Sequence, residues 1–290
     1  MTHAERFRAF LKDTELVMLP GCYDAIGAKL IELAGFNALY ITGSGVSLTT
    51  LGHPDINTIS YGELWQKVYQ IRNAVNIPML VDIDTGFGGP LNIIRLVKDF
   101  EQLDIAAIQI EDQIAPKRCG HEVGRKVVPV EEMINRIRAV VETRKDNGIV
   151  LVARTDAYST LGRDEAIRRA NMFLEAGADV AFVESPETKD DIARIAREVK
   201  GPVLFNNVEG GKSPFMHRDE LQKDGFRFVI YPNAVTRVVC KKVAELLATL
   251  KETGSTESMW DQMMDHKAVW ELFGSEEYYA LESKYTSFRE

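Results

Sequence analysis

The chain has 290 residues, 45% apolar and 27% charged, a balance typical of globular proteins that excludes disordered, collagen-like and membrane-embedded classes. Its 35 Lys and Arg against 43 Asp and Glu leave a net charge of −8, which argues against nucleic acid or an anionic membrane surface as the main partner. A small anionic substrate stays open, because a local site can be cationic on an acidic protein.

The first residues lack the ~7–15-residue apolar stretch of a signal peptide, and no later run approaches the ~18 apolar residues of a membrane span. The cysteines, Cys22, Cys119 and Cys240, are odd in number in a chain too long to need disulfide staples. A cytoplasmic protein is expected, with Cys22 and Cys240 as small buried hydrophobes.

Apolar runs recur at 16–20, 38–42, 79–83, 106–110, 149–153, 180–183, 203–205 and 228–231, each reading as a strand buried on both faces. Amphipathic stretches at 25–34, 63–74, 92–103, 131–144, 164–176 and 190–199 carry apolar residues at helical spacing between them. Gly35 and Gly177 close two of these helices in matching phrases, the punctuation of parallel α/β units. An open doubly wound sheet would carry a glycine fingerprint after its first strand. Here that turn is Pro20-Gly21-Cys22-Tyr23-Asp24, and Gly43-Ser44-Gly45 after the second has Leu48 in the third glycine's place. Eight βα units without the fingerprint favour a closed (β/α)8 barrel.

An eighth helix over 235–251 is followed by helical stretches at 258–273 and 276–285, surplus to a barrel. The expected division is a barrel over 1–253 and a helical extension over 254–290. Trp260, Trp270, Phe273, Tyr278 and Tyr279 need burial there, on a partner subunit or on the chain's own surface.

Barrel chemistry sits at the C-terminal strand ends, and these ends are polar: Asp24; Tyr40, Thr42 and Ser44; Asp82 and Asp84; Glu111 and Asp112; Arg154 and Asp156; Glu184; Asn206 and Glu209; Asn233. Any one of them could be a helix cap or a solvated turn. Asp82 and Asp84, at i and i+2, share one strand face, and Glu111 ends the next strand. All-oxygen ligation suits Mg2+ or Mn2+ with few direct protein ligands; a structural hydrogen-bonded pair is the other reading. Pro116-Lys117-Arg118-Cys119-Gly120-His121 lies in a long connection after the fourth strand, either a lid whose cations lower a thiol pKa or a basic loop in which the cysteine is incidental. Arg154 could hold a substrate carboxylate bidentately or pair structurally with Asp156 or Glu184.

The phrases Pro20-Gly21-Cys22-Tyr23-Asp24-Ala25, Thr42-Gly43-Ser44-Gly45, Leu51-Gly52-His53-Pro54-Asp55, Asp82-Ile83-Asp84-Thr85-Gly86, Ile110-Glu111-Asp112-Gln113, Lys117-Arg118-Cys119-Gly120-His121 and Ala153-Arg154-Thr155-Asp156-Ala157 resemble the isocitrate lyase and phosphoenolpyruvate mutase superfamily, over nearly the whole chain. The Lys-Arg-Cys-Gly-His phrase looks like its lyase branch, which cleaves a C–C bond in 2-hydroxy di- or tricarboxylates such as 2-methylisocitrate or 2,3-dimethylmalate. The resemblance implies a Mg2+-dependent (β/α)8 barrel, with C-terminal helices exchanged between subunits of a homotetramer built from two helix-swapped dimers. It implies metal binding by Asp84 with Asp82, Glu111 and Asp55, largely through water. Cys119 would be the acid, Tyr40 a base, and Lys117 and His121 further catalytic groups. Thr42, Gly43, Ser44, Gly120, Arg154, Glu184 and Asn206 would bind a small carboxylate substrate. The stretch 205–214 looks closer to dimethylmalate lyase and carboxyphosphonoenolpyruvate mutase relatives, so a phosphonomutase, or an oxaloacetate hydrolase or decarboxylase, is the alternative. A non-catalytic barrel is disfavoured, because metal, acid and anion-holding residues are all present.

Overall fold

In the computed structural model, which describes residues 1–120 and 124–286, the eight apolar runs pair in chain order. They form β1 (Val17–Cys22), β2 (Leu39–Ile41), β3 (Met79–Asp82), β4 (Ala107–Glu111), β5 (Val150–Thr155), β6 (Val180–Val183), β7 (Val203–Asn206) and β8 (Phe228–Tyr231). Every pairing is parallel, and β1 closes on β8 with Val17 opposite Phe228. The barrel expected from the strand count is the observed fold. The chain separates into two compact units, Met1–Thr236 and Arg237–Glu290.

Side chains alternate across a strand, so each strand feeds two layers. One set, including Leu19, Tyr40, Leu80, Ala107, Val152, Phe182, Leu204, Phe228 and Ile230, forms a buried cluster of its own inside the barrel. The other set packs against the surrounding helices. A helix not foreseen from periodicity, His3–Lys12, starts at a Thr2–Glu5 capping box. Its Phe7 is fully buried and stacks on Phe228 with ring centroids 5.1 Å apart, joining the interior cluster.

A second unforeseen helix, Gly43–Leu51, is capped by the Thr42 hydroxyl. The glycines there are the start of a helix and not a nucleotide loop. Gly35 and Gly177 take left-handed φ values of 82° and 107° at the ends of their helices, as their phrases predict.

In the second unit, the stretch expected as one helix over 258–273 is broken. A 3-10 segment Glu257–Gln262 precedes a helix His266–Leu272, because the Asp265 carboxylate accepts from the backbone of Lys267 and Ala268 and starts a new helix. Cys22 is buried, whereas Cys240 is exposed on the helix Ala234–Thr253, contrary to expectation; that helix also exposes Val238, Val239, Val243 and Leu247. Among the described residues no helix is long and apolar enough to cross a membrane.

Candidate active site

The inward-facing rows turn from apolar to charged at their C-terminal ends. On β4 the row runs Ala107, Gln109, Glu111, and on β5 it runs Val150, Val152, Arg154 and then Asp156, with Glu111 paired to Arg154 in register. The Arg154 guanidinium rests 5.3 Å above the Phe182 ring, where the apolar interior ends. Beneath the mouth, the Tyr40 hydroxyl donates to Asp82 at 3.0 Å and to Gln109 Oε1 at 3.4 Å.

The mouth has an acidic half. Asp84 holds a φ of 49°, a left-handed conformation uncommon outside glycine, and its N–H donates to Asp82 Oδ1 at 3.1 Å. Gly43 passes so close that a Cβ there would lie 3.1 Å from Asp82 Oδ2 and 3.3 Å from Asp84 Oδ1. The Lys117 ammonium, 4% exposed, sits 2.7 Å from Asp84 Oδ1 and also pairs with Asp55. Burial opposes the charge on Lys117, but Asp84, Asp55, Glu111 and Asp82 hold its pKa well above the ordinary value. Burial raises the Asp84 carboxyl to about 6, with Lys117 pulling it down and Asp82 and Asp55 pushing it up. Glu111 is pushed up by burial more strongly than Arg154 draws it down, and its Oε1 makes no hydrogen bond.

The other half is built around Arg154. Its Nε and Nη2 grip Asp156 side-on at 2.9 and 3.0 Å, Nε lies 3.3 Å from Glu111 Oε2, and Nη1 lies 3.7 Å from Glu184 Oε2. The structural ion pair with Asp156 is therefore real, and Nη1 makes the longer contact, to Glu184. Asn206 Nδ2 donates to both Glu184 oxygens at 3.3 Å.

An arm from the β4 connection spans both halves. Gln113 bridges to Val127 antiparallel, and the Gln113 side chain exchanges hydrogen bonds with the backbone of Arg118 at 2.9 and 3.0 Å. This ties together a loop that has no periodicity in sequence. Lys117 thus lies on the acidic half, and the Gly120 carbonyl accepts from Ser185 at 2.8 Å. A Cβ on Gly120 would fall 2.4 Å from Glu184 Oε1 and 2.5 Å from Arg154 Nη2. Cys119 stands between these two anchors and lines a cavity of about 690 Å3 with Ser44, Leu48, Asp55, Lys117 and Arg118.

Of the residues singled out in the sequence, Tyr40, Asp55, Asp82, Asp84, Glu111, Lys117, Cys119, Gly120, Arg154, Glu184 and Asn206 belong to this mouth. His121 lies outside the described residues. Thr42 and Ser44 border it: the Thr42 hydroxyl caps its helix, and Ser44 donates to Asn233 at 3.3 Å. Asp24 instead caps the helix Ala25–Leu33. Two further residues of the mouth do not stand out in the sequence. Gln109 sits two residues before Glu111 on the same inward row, a signal present in the sequence; Arg125, from the far limb of the arm, carries no such signal.

The donors of the acidic half are all hard oxygen atoms, which suits a hard divalent cation. Among the described residues no three carboxylate, His or Cys groups converge as a direct ligand shell. The residues thus offer a hard cation few direct carboxylate contacts.

The family model described as phosphoenolpyruvate phosphomutase matches residues 7–251. The chain is 39% identical to 2,3-dimethylmalate lyase of Eubacterium barkeri, over 100% of both chains. Its fold matches an oxaloacetate acetylhydrolase solved with 3,3-difluorooxalacetate at a TM-score of 0.92, with 32% identity and coverage of 98% of this chain and 97% of that one. It also matches a phosphonopyruvate hydrolase complexed with oxalate and Mg2+ at a TM-score of 0.88, with 29% identity over 98% and 99% of the two chains.

Glu184 and Arg154 are each held by several partners and cannot swing away from a Gly120 side chain. Gly120→Ala should therefore keep the arm from seating and lower kcat/KM by about 100-fold or more. Wild-type turnover in this variant would show that the tight approach at Gly120 is dispensable.

Proposed function

Because the chain belongs to the phosphoenolpyruvate mutase/isocitrate lyase superfamily, we propose that it is a Mg2+-dependent carbon–carbon lyase. Its substrate is a 2-hydroxy di- or tricarboxylate of the 2,3-dimethylmalate or 2-methylisocitrate type, and Mn2+ can replace Mg2+. The observation that carries this reading is the meeting, in one barrel mouth, of an acidic cluster, the buried Arg154 guanidinium and an arm bearing a thiol.

Asp84, with Asp82, Glu111 and Asp55, would hold the cation, which would supply positive charge to the oxygens that become negative during cleavage. Arg154 Nη1, with Asn206, Glu184, Gly43, Ser44, Thr42 and Gly120 around it, orients the substrate carboxylates. The substrate hydroxyl gives up its proton, its O–H electron pair becomes the carbonyl of a departing oxoacid such as pyruvate, and the C–C electron pair stays on the second fragment as an enediolate. Cys119 then gives its thiol proton to that carbon, and the seated arm keeps water from supplying one instead. Tyr40 is the candidate base for the hydroxyl proton. Burial and the Asp82 charge both hold its phenol proton in place, so its ionisation depends on positive charge brought close to Asp82. Lys117 anchors the arm on Asp84 and Asp55. The role of His121 rests on the motif alone.

The exposed apolar residues of the second unit, among them Leu247, Trp260, Trp270 and Tyr278, support a homotetramer of helix-swapped dimers, with the barrel over 1–253 and the extension 254–290 packed on a neighbouring subunit. The enzyme is assigned to the cytoplasm, and neither nucleic acid nor membrane is a partner. Light scattering should give a solution mass four times that of the chain; a monomer would contradict the assembly.

The decisive assay offers 2,3-dimethylmalate, 2-methylisocitrate, oxaloacetate and phosphonopyruvate with and without chelator. Metal-dependent pyruvate release from one of the two hydroxy acids is expected, with Cys119→Ser reducing it by about 100-fold or more while substrate still binds. Acetate and oxalate from oxaloacetate alone, or phosphate from phosphonopyruvate alone, would sink the lyase reading in favour of hydrolysis.

A pH dependence follows from Asp84. Its carboxyl is raised to about 6, so below that pH a proton occupies the site and must be displaced by the metal. Mg2+ affinity, measured calorimetrically, should weaken by up to about tenfold per pH unit below 6 and be nearly flat above 7. An affinity that is flat down to pH 5 would exclude Asp84 as the titrating ligand.

A further inference from the structure

Asp156 is shared by two guanidiniums. It is fully buried, and its Oδ1 accepts both Arg154 Nη2 at 3.0 Å and Arg125 Nη1 at 2.6 Å, while Oδ2 accepts Arg154 Nε at 2.9 Å. Arg154 and Asp156 stand two residues apart on one face of the chain, whereas Arg125 arrives from the arm and is itself only 5% exposed. The carboxylate cannot shift to suit either partner. Its backbone N–H donates to Asp112 Oδ1 at 2.9 Å, and Asp112 is held in turn by the Thr155 hydroxyl at 2.8 Å and by Arg169 at 3.0 Å.

We propose that Arg125 is a positioning residue for Arg154, acting through the Asp156 carboxylate that both guanidiniums share. Arg154 is surrounded by three acids, Glu111, Asp156 and Glu184, so without a second cation this half of the mouth repels an anionic substrate. Arg125 takes part of the Asp156 charge, which keeps Asp156 as a fixed clamp for Nε and Nη2, so that Arg154 Nη1, held among the described residues only by the 3.7 Å contact to Glu184, is the edge a substrate carboxylate would meet. Burial disfavours ionised Asp156, and Arg154 and Arg125 together hold its pKa below the usual carboxylate value. The sharing is also what joins seating of the arm to readiness of the substrate site.

The two arginines differ in a way that makes the idea testable. Arg154 binds Asp156 with two nitrogens, so a lysine cannot replace it. Arg125 uses Nη1 alone on Asp156, and its Nη2 makes no hydrogen bond, so one ammonium can substitute. The inference rests on the reading that Arg154 receives a substrate carboxylate, and the experiment separates the two. With the Mg2+-loaded enzyme and the best hydroxy acid of the panel, Arg125→Met should raise KM by about tenfold with kcat changed far less. Arg125→Lys should recover most of that loss, whereas Arg154→Lys should stay impaired. Calorimetric Mg2+ affinity should be unchanged in both Arg125 variants. Arg125→Gln, which keeps a neutral donor, should give an intermediate KM and serves if the Met variant does not fold.

An unchanged KM in Arg125→Met, or in Arg125→Gln in its place, would overturn the proposal. So would a lysine variant no better than methionine, or a parallel loss of Mg2+ affinity, which would mark a merely structural role. If Arg154→Lys itself leaves KM unchanged, the substrate role of Arg154 fails and the inference falls with it.

Discussion

The interaction on which the site depends is charge compensation in a place that water barely reaches. Asp82, Asp84, Glu111, Asp156 and Glu184 are all buried at the top of an apolar barrel, where an uncompensated carboxylate is costly. The barrel strands provide one cation, Arg154. The arm provides two more, Lys117 and Arg125, each on an acid that the strands cannot neutralise alone. Without the arm, Arg154 would be left as the one strand cation among these five carboxylates.

The barrel itself makes this arrangement possible. The same two-residue alternation that fills its interior with Leu80, Val152 and Phe182 continues upward and points Asp82, Arg154 and Glu184 into the mouth. A few strand positions decide whether a side chain is packing or chemistry, and Arg154 above Phe182 marks the border.

That alternation also explains how much of the fold and the site is legible in the amino-acid sequence. The strands are legible because each is a short apolar run, and Asp82, Asp84, Glu111, Arg154 and Glu184 are legible because they interrupt or end those runs. Gln109 is readable in principle, two residues ahead of Glu111 on the same face, but a lone amide inside an apolar strand draws no notice. Arg125 is not readable: it reaches Asp156 across 31 positions from a loop without periodicity, and only the folded arm brings them together. Asp24 shows the opposite failure, since a strand-end aspartate that caps the next helix looks in sequence like one that serves the site. The helix His3–Lys12 escapes notice because it precedes the first strand, although Thr2 and Glu5 already spell its capping box.

The closure of β1 on β8 joins residues about 210 positions apart. During synthesis the first strand emerges early and waits for nearly the whole barrel before its second neighbour exists. Until then Val17 and Leu19 lie along an open edge, and Phe7 has no Phe228 ring to stack on. Such long-range closure is slow, and an unpaired edge of this kind invites pairing with other chains. The ring that shelters the chemistry thus imposes a delay on the ribosome, during which the nascent chain is at its most vulnerable to misassembly.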